Sequence, residues 1–202
     1  MQEALRPKLR IYNDFTSLNL IAGVDVGYDI VRNLAHASIV TMKRGELKPL
    51  EQVQAFAPAD FPYIPGLLAF REIPAILAAL AMLKSTPDIF MVDGHGIAHP
   101  KRMGIAAHLG VLLDMPSIGV AKSRLTGRFD MPGEQKGDSS PLIAGKEQIG
   151  IVLRSRDKVS PLFISPGHRV DMQTACALAT ECLTRYRLPE PTRMADKLSK
   201  CN

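Results

Sequence analysis

Tryptophan is absent from this 202-residue chain, and aromatic residues make up only 5% of it. A core of this composition must rest on Leu, Ile, Val, Ala and Met. Cysteine is nearly absent too: Cys176, Cys182 and Cys201 are the three, and none forms a Cys-x-x-Cys pair. That count and spacing exclude a disulfide framework, argue for free thiols, and leave no structural zinc to expect. No apolar run reaches the ~20 residues that span a bilayer. Met1 to Arg10 carries charge where a signal peptide would be apolar, so a cytoplasmic chain with no membrane contact is expected. No Gly-x-x-x-x-Gly-Lys-[Ser/Thr] run occurs, which counts against a P-loop enzyme acting on a small nucleotide. No internal repeat and no compositional break is visible, so residues 1–202 are expected to form a single domain, as a monomer.

What is present is an apolar fraction of 46%, enough for a substantial core, and a net charge of +5. The charge leans toward an anionic partner such as nucleic acid, but by itself it fits an ordinary solvated surface equally well.

The hydrophobic pattern predicts strands at Leu20–Val26, Ala35–Met42 and Leu47–Ala57, an antiparallel meander joined by short turns. A proline-rich loop follows, Pro58 to Pro65. Gly66 to Lys84 reads as a helix with Ile73, Ile76, Leu77, Leu80 and Leu83 on one face. Pro74 predicts a kink there, or a regular helix that starts at it. Asp88–Asp93 and Pro116–Val120 are short continuous apolar runs, the pattern of buried parallel strands, with a helix over Met103–Leu113 between them. Residues 127–147 read as loop, Gln148–Arg154 and Leu162–Ser165 as a late hairpin, and Val170–Arg187 as an amphipathic helix before an irregular tail. Three antiparallel strands followed by alternating helix and strand imply an α/β fold, a mixed sheet with helices on both faces.

Two carboxylates sit where apolar strands should bury them: Asp25 within LIAGVDV, and Asp93 at the end of DIFMVD. A buried lone carboxylate costs several kcal/mol unless an Arg or Lys, protonation or a divalent cation compensates. Glu72, between apolar neighbours in FREIP, is a third. One arrangement covers all three: they converge at a sheet edge and hold Mg²⁺, for which Mn²⁺ can substitute, leaving coordination positions for water and phosphate. The spacing equally fits acids that cap strand ends, with Glu72 paired to Arg71 or facing water. Asp88 reads as structural.

The stretch from Pro62 to Lys122 holds PYIPG, FRE, VDGHGIAHPKRMG and IGVAKS in that order; SPGHR and RLPEPTRMAD follow toward the end. These motifs, spread over residues 20–198, resemble those of the endonuclease V family. The resemblance implies a ribonuclease H-like fold and a Mg²⁺-dependent DNA repair endonuclease. Such an enzyme hydrolyses the second phosphodiester bond 3′ to deoxyinosine, leaving 3′-hydroxyl and 5′-phosphate ends. It also implies catalytic roles for Asp25, Glu72, Asp93, Lys122 and His99, the three acids binding metal. Pro62, Tyr63, Ile64 and Pro65 match a wedge that holds open the gap left by a flipped nucleotide. Gly66, Leu68, Gly94, Gly96, Gly104, Gly119 and Leu125 are expected to line the base pocket. Some relatives carry histidine at the position of Asp196, whose role is therefore open. Inosine-containing RNA is an alternative substrate, and a non-catalytic nucleic-acid-binding scaffold is the rival from another class.

Overall fold

The computed structural model describes residues 2–62, 64 and 66–200; Tyr63 and Pro65, two of the four expected wedge residues, lie outside that range. The meander forms as the alternation predicts: β1 (Leu20–Asp29) pairs antiparallel with β2 (Leu34–Lys43), and β2 with β3 (Pro49–Pro58). After α2 (Ala69–Leu80), β4 (Ile89–Asp93) lies parallel to β1. After α3 (Ile105–Leu113), β5 (Ser117–Ala121) lies parallel to β4. The antiparallel strands β6 (Ser139–Ala144), β7 (Glu147–Leu153) and β8 (Leu162–His168) complete one eight-stranded sheet in the order β3-β2-β1-β4-β5-β8-β7-β6. Helices α4 (Met172–Glu181) and α5 (Glu190–Ser199) follow, and the one-turn α1 (Gln2–Leu5) precedes the sheet. No helix among the described residues is long and apolar enough to cross a membrane.

The two-residue period of the strands sorts the core into two layers. Ala22 and Val24 of β1, with Phe90 and Val92 of β4, pack under Ile73 and Ile76 of α2 and Leu109 of α3. On the other face Ile21, Ile89 and Met91 meet Ala175 and Leu178 of α4. There too Val40 and Met42 of β2 meet Ala195 of α5. The helices therefore cover both faces, as expected.

Three expectations need correction. The segment 127–147 is not all loop, because it contains β6. That strand is hidden in the sequence by Pro141, which is tolerable because β6 is the last strand of the sheet and its outer side meets Arg128 at Ile143 and no further strand. The tail is not irregular either. α4 stops at Glu181, and Glu190–Ser199 is helical, with Pro191 in the first turn, where its missing N–H costs nothing. Finally, α2 begins neither at Gly66, whose φ of +82° is left-handed, nor at Pro74, which it carries inside. Its Leu77 faces solvent rather than the core.

α5 sits on the backbone of β1. A β-carbon on Gly23 would lie 2.1 Å from the Pro191 carbonyl oxygen, and one on Gly27 would lie 2.7 Å from that of Ser199. Both ends of the helix are thus held against the strand that carries Asp25. Gly23→Ala should lower stability by roughly 3 kcal/mol, since the backbone cannot yield as a flexible side chain could. Urea denaturation checks this, and an unchanged midpoint would mean that α5 is not seated so closely.

Candidate active site

The register brings the first two acids together. Val24 pairs with Val92 across the parallel β1–β4 ladder, so Asp25 and Asp93, each next in its strand, stand side by side at the C-terminal edge of the sheet. Both have the strand parity that faces α5, and α5 supplies Asp196. Carboxylate oxygens of Asp25, Asp93 and Asp196 lie within 4.8 Å of one another. Lys122, just past the end of β5, places Nζ 2.5 Å from Asp93 Oδ2 and 2.5 Å from Asp196 Oδ1. Lys200 Nζ lies 2.7 Å from Asp196 Oδ2. The Ser199 hydroxyl donates to Asp25 Oδ2 and lies 3.0 Å from the Asp196 carbonyl oxygen, placing the two acids around one helix turn.

The electrostatics are those of an excess of acid. Burial, with Asp25 adding to it, pushes the Asp93 carboxyl up to about 7 despite Lys122. Burial opposes the Lys122 ammonium, but Asp93 and Asp196 more than offset it and hold its pKa above the ordinary lysine value. Burial likewise works against the Asp196 carboxylate, and its bonds to Lys122 and Lys200 outweigh that and lower its pKa. One lysine therefore does not compensate Asp93 for its burial beside Asp25. A donor set made of carboxylate oxygens alone fits a hard divalent cation such as Mg²⁺ or Mn²⁺.

Glu72 reaches the same edge from the opposite face. In the first turn of α2 it is buried, and it accepts a 2.9 Å hydrogen bond from the Tyr28 hydroxyl. Burial, reinforced by Asp25 and Asp93, pushes its pKa up to about 8. It is not among the acids whose oxygens lie within 4.8 Å of one another; Asp196 is the third of those. The sequence left the role of Asp196 open; in the structure Thr192, Ala195 and Ser199 form the buried stripe of α5 that seats it against the sheet.

Beneath Asp93 and Glu72, on the α2/α3 face, lies a cavity of about 240 Å³. That is below the ~300–1,000 Å³ of pockets for drug-sized ligands and suits a single base. Of the residues expected there, Gly66, Leu68, Gly94, Gly104 and Leu125 line it, but Gly96 and Gly119 do not. A β-carbon on Gly119 would come within 2.4 Å of the Gly96 amide nitrogen, and one on Gly96 within 2.0 Å of the Pro166 carbonyl oxygen. These two glycines let three backbone segments stack behind the cavity.

His99 Nε2 faces the Gly66 carbonyl at 3.1 Å, and its Nδ1 accepts the Lys101 amide at 3.1 Å. Burial lowers its pKa. It therefore clasps the Gly66 turn onto the cavity and is not one of the carboxylate-trio ligands. His95 also lines the cavity; burial pushes it down to about 4, and its buried Nδ1 has no hydrogen-bond partner in the protein. His168 and Asp88 are structural. The first contacts Asp114, and the second accepts the amides of Asn19 and Leu20. Of the wedge segment, Ile64 is exposed.

The family model described as Endonuclease V matches residues 3–197. An Endonuclease V from Rippkaea orientalis is 50% identical over 98% of this chain and 87% of its own length. The crystal structure of an Endonuclease V from Streptomyces avermitilis superposes with a TM-score of 0.92 at 42% identity, covering 98% of this chain and 88% of that one. That of Ciona intestinalis Endonuclease V, in complex with a 24mer DNA containing an inosine followed by a ribo-adenosine, gives a TM-score of 0.85 at 30% identity, over 98% of this chain and 93% of that one. These superpositions agree with the ribonuclease H-like arrangement expected from the motifs.

The buried glutamate generates a pH prediction. With a folded pKa of about 8 against ~4.3 in an unfolded chain, Glu72 binds its proton more tightly when folded. Its contribution to stability is complete below about pH 4 and is lost as the pH rises through about 8. In metal-free buffer, Glu72→Gln should flatten the fall in stability across that window, as followed by urea denaturation in EDTA. A slope equal to that of the wild type would contradict it.

Proposed function

The chain belongs to the endonuclease V family, and we propose that it nicks DNA at deoxyinosine, hydrolysing the second phosphodiester bond on the 3′ side with Mg²⁺ as the metal. The observation that carries this reading is one shared residue: Asp93 both lines the base-sized cavity and belongs to the carboxylate trio. A base held in the cavity places its own backbone next to the acids. The Ciona relative, whose bound DNA contains an inosine, supports that choice of base.

Each residue then has a task. Asp25, Asp93 and Asp196 would hold the cation, and Ser199 fixes the orientation of Asp25. Mg²⁺ bound there would neutralise phosphate charge and lower the pKa of the attacking water. Lys122 stays protonated at neutral pH and is placed to meet the scissile phosphate. Glu72, held by Tyr28, adds acid from the other side. Hypoxanthine differs from adenine in offering N1–H and O6, which backbone groups at Gly66, Gly94 and Gly104 can read at close range. The PYIP segment, with Tyr63 at its centre, is read as the wedge. A second substrate class, inosine-containing RNA, is favoured by one detail: the strand bound by the Ciona relative carries a ribonucleotide after the inosine.

Asp25→Ala and Asp93→Ala should each abolish nicking of a single-inosine duplex while leaving binding measurable in a gel-shift assay. EDTA should stop the wild-type reaction and Mg²⁺ restore it. Full nicking by either variant would exclude the assignment. Tyr63→Ala should narrow the preference for inosine over adenine strands, measured as a ratio of single-turnover rates; an unchanged ratio would remove the wedge role.

A further inference from the structure

On the α5 side of the carboxylate trio lies an open groove of about 670 Å³. Lys122, Tyr186, Arg187, Arg193, Lys197 and Lys200 line it, with Asp196 as the acid among them. That acid is already matched by Lys122 and Lys200. The aromatic ring is deliberately framed: the guanidinium carbons of Arg185 and Arg193 lie 5.0 and 4.2 Å from the Tyr186 ring centroid. The segment bearing the ring is fastened down, since Arg187 donates to the carbonyls of Ser160, Pro161 and Lys122. Tyr186 remains 37% exposed. Glu190 holds Arg193, with Nε 2.9 Å from its Oε2, so Arg193 backs the ring as a matched ion pair, whereas Arg185 is exposed and can yield its place. A fastened, part-exposed ring with Lys197 in the same groove is the composition of a surface that stacks bases and neutralises phosphates.

The position of the groove says which nucleotides it would meet. The cavity opens on the α2/α3 face and includes Asp93; the groove opens on the α5 face and includes Lys122 and Asp196. The trio lies on the sheet edge between them. A strand with one base in the cavity has to cross that edge at the acids, and what comes over it runs into the groove.

We propose that this groove binds the nucleic-acid strand on the 3′ side of the cut, with a base stacked on Tyr186 in place of the exposed Arg185 guanidinium and a phosphate against Lys197. The proposal rests on the reading of the site as an inosine-directed nuclease that cuts 3′ to the base, because that direction makes the emerging segment the 3′ one. It gives the enzyme a grip on the product strand that is independent of base recognition and sets the salt dependence of binding.

The test compares the wild-type chain with a Tyr186→Ala, Lys197→Ala double variant on single-inosine strands. One series is trimmed only on the 3′ side of the cut, the other only on the 5′ side. Binding is measured in EDTA by fluorescence anisotropy across salt concentrations, and nicking in Mg²⁺ under single-turnover conditions. On strands with a long 3′ flank the variant should bind about tenfold more weakly. The slope of its log affinity against log salt should be shallower by about 0.7–0.9. Its nicking rate at saturation should equal that of the wild type. Trimming the 3′ flank should cost the wild type the same factor and the variant nothing further. Equal binding by the two proteins, or a loss that follows the 5′ flank, would overturn the proposal. If the double variant melts below the wild type, Lys197→Gln alone carries the salt-slope comparison. A wild-type chain that nicks no inosine strand would instead defeat the parent reading, and the groove's assignment with it.

Discussion

Three carboxylates whose oxygens lie within 4.8 Å of one another repel strongly. At an effective dielectric near 20 each pair costs on the order of 3 kcal/mol. The fold nevertheless forces them together. The parallel register of β1 and β4 fixes Asp25 beside Asp93, and the glycines of β1 let α5 approach until Asp196 joins them. Lys122 relieves part of the strain but leaves Asp93 titrating near neutral pH. An arrangement that is costly when empty gains most when a divalent cation occupies it, and the rest of the site is organised around that gain.

The sheet edge is also a divide. Asp25 and Asp93 take the parity of the α5 face, whereas Tyr28, three residues beyond Asp25, takes the opposite parity and reaches Glu72 on α2. The same alternation that sorts the core into two layers thus distributes the acids, with the trio on one side and Glu72 on the other. It also separates a narrow, glycine-walled cavity, which suits recognition of one base, from a wide cationic groove, which suits a sequence-neutral grip on backbone.

How much of this was legible in the sequence depended on whether a residue's role is set locally. Buried strands announced themselves: an aspartate inside LIAGVDV or at the end of DIFMVD conflicts with its apolar neighbours whatever the tertiary fold. Helix α5 and strand β6 were hidden because prolines stand within them, and only their positions, a first turn and a sheet edge, make those prolines harmless. Gly96 and Gly119 could not be told from cavity glycines, since close backbone stacking and close ligand approach demand the same residue. The role of Asp196 stayed open in the sequence for another reason. It depends on which face of the sheet each helix covers, and no local pattern states that.

The central claim is that Asp25, Asp93 and Asp196 are gathered to hold a divalent cation. Anomalous diffraction from crystals of the chain grown with Mn²⁺ tests it most directly. The account predicts a manganese peak coordinated by oxygens of these three aspartates at the joint C-terminal edge of β1 and β4. No peak there under saturating Mn²⁺, with Lys122 still closing the gap between Asp93 and Asp196, would contradict it.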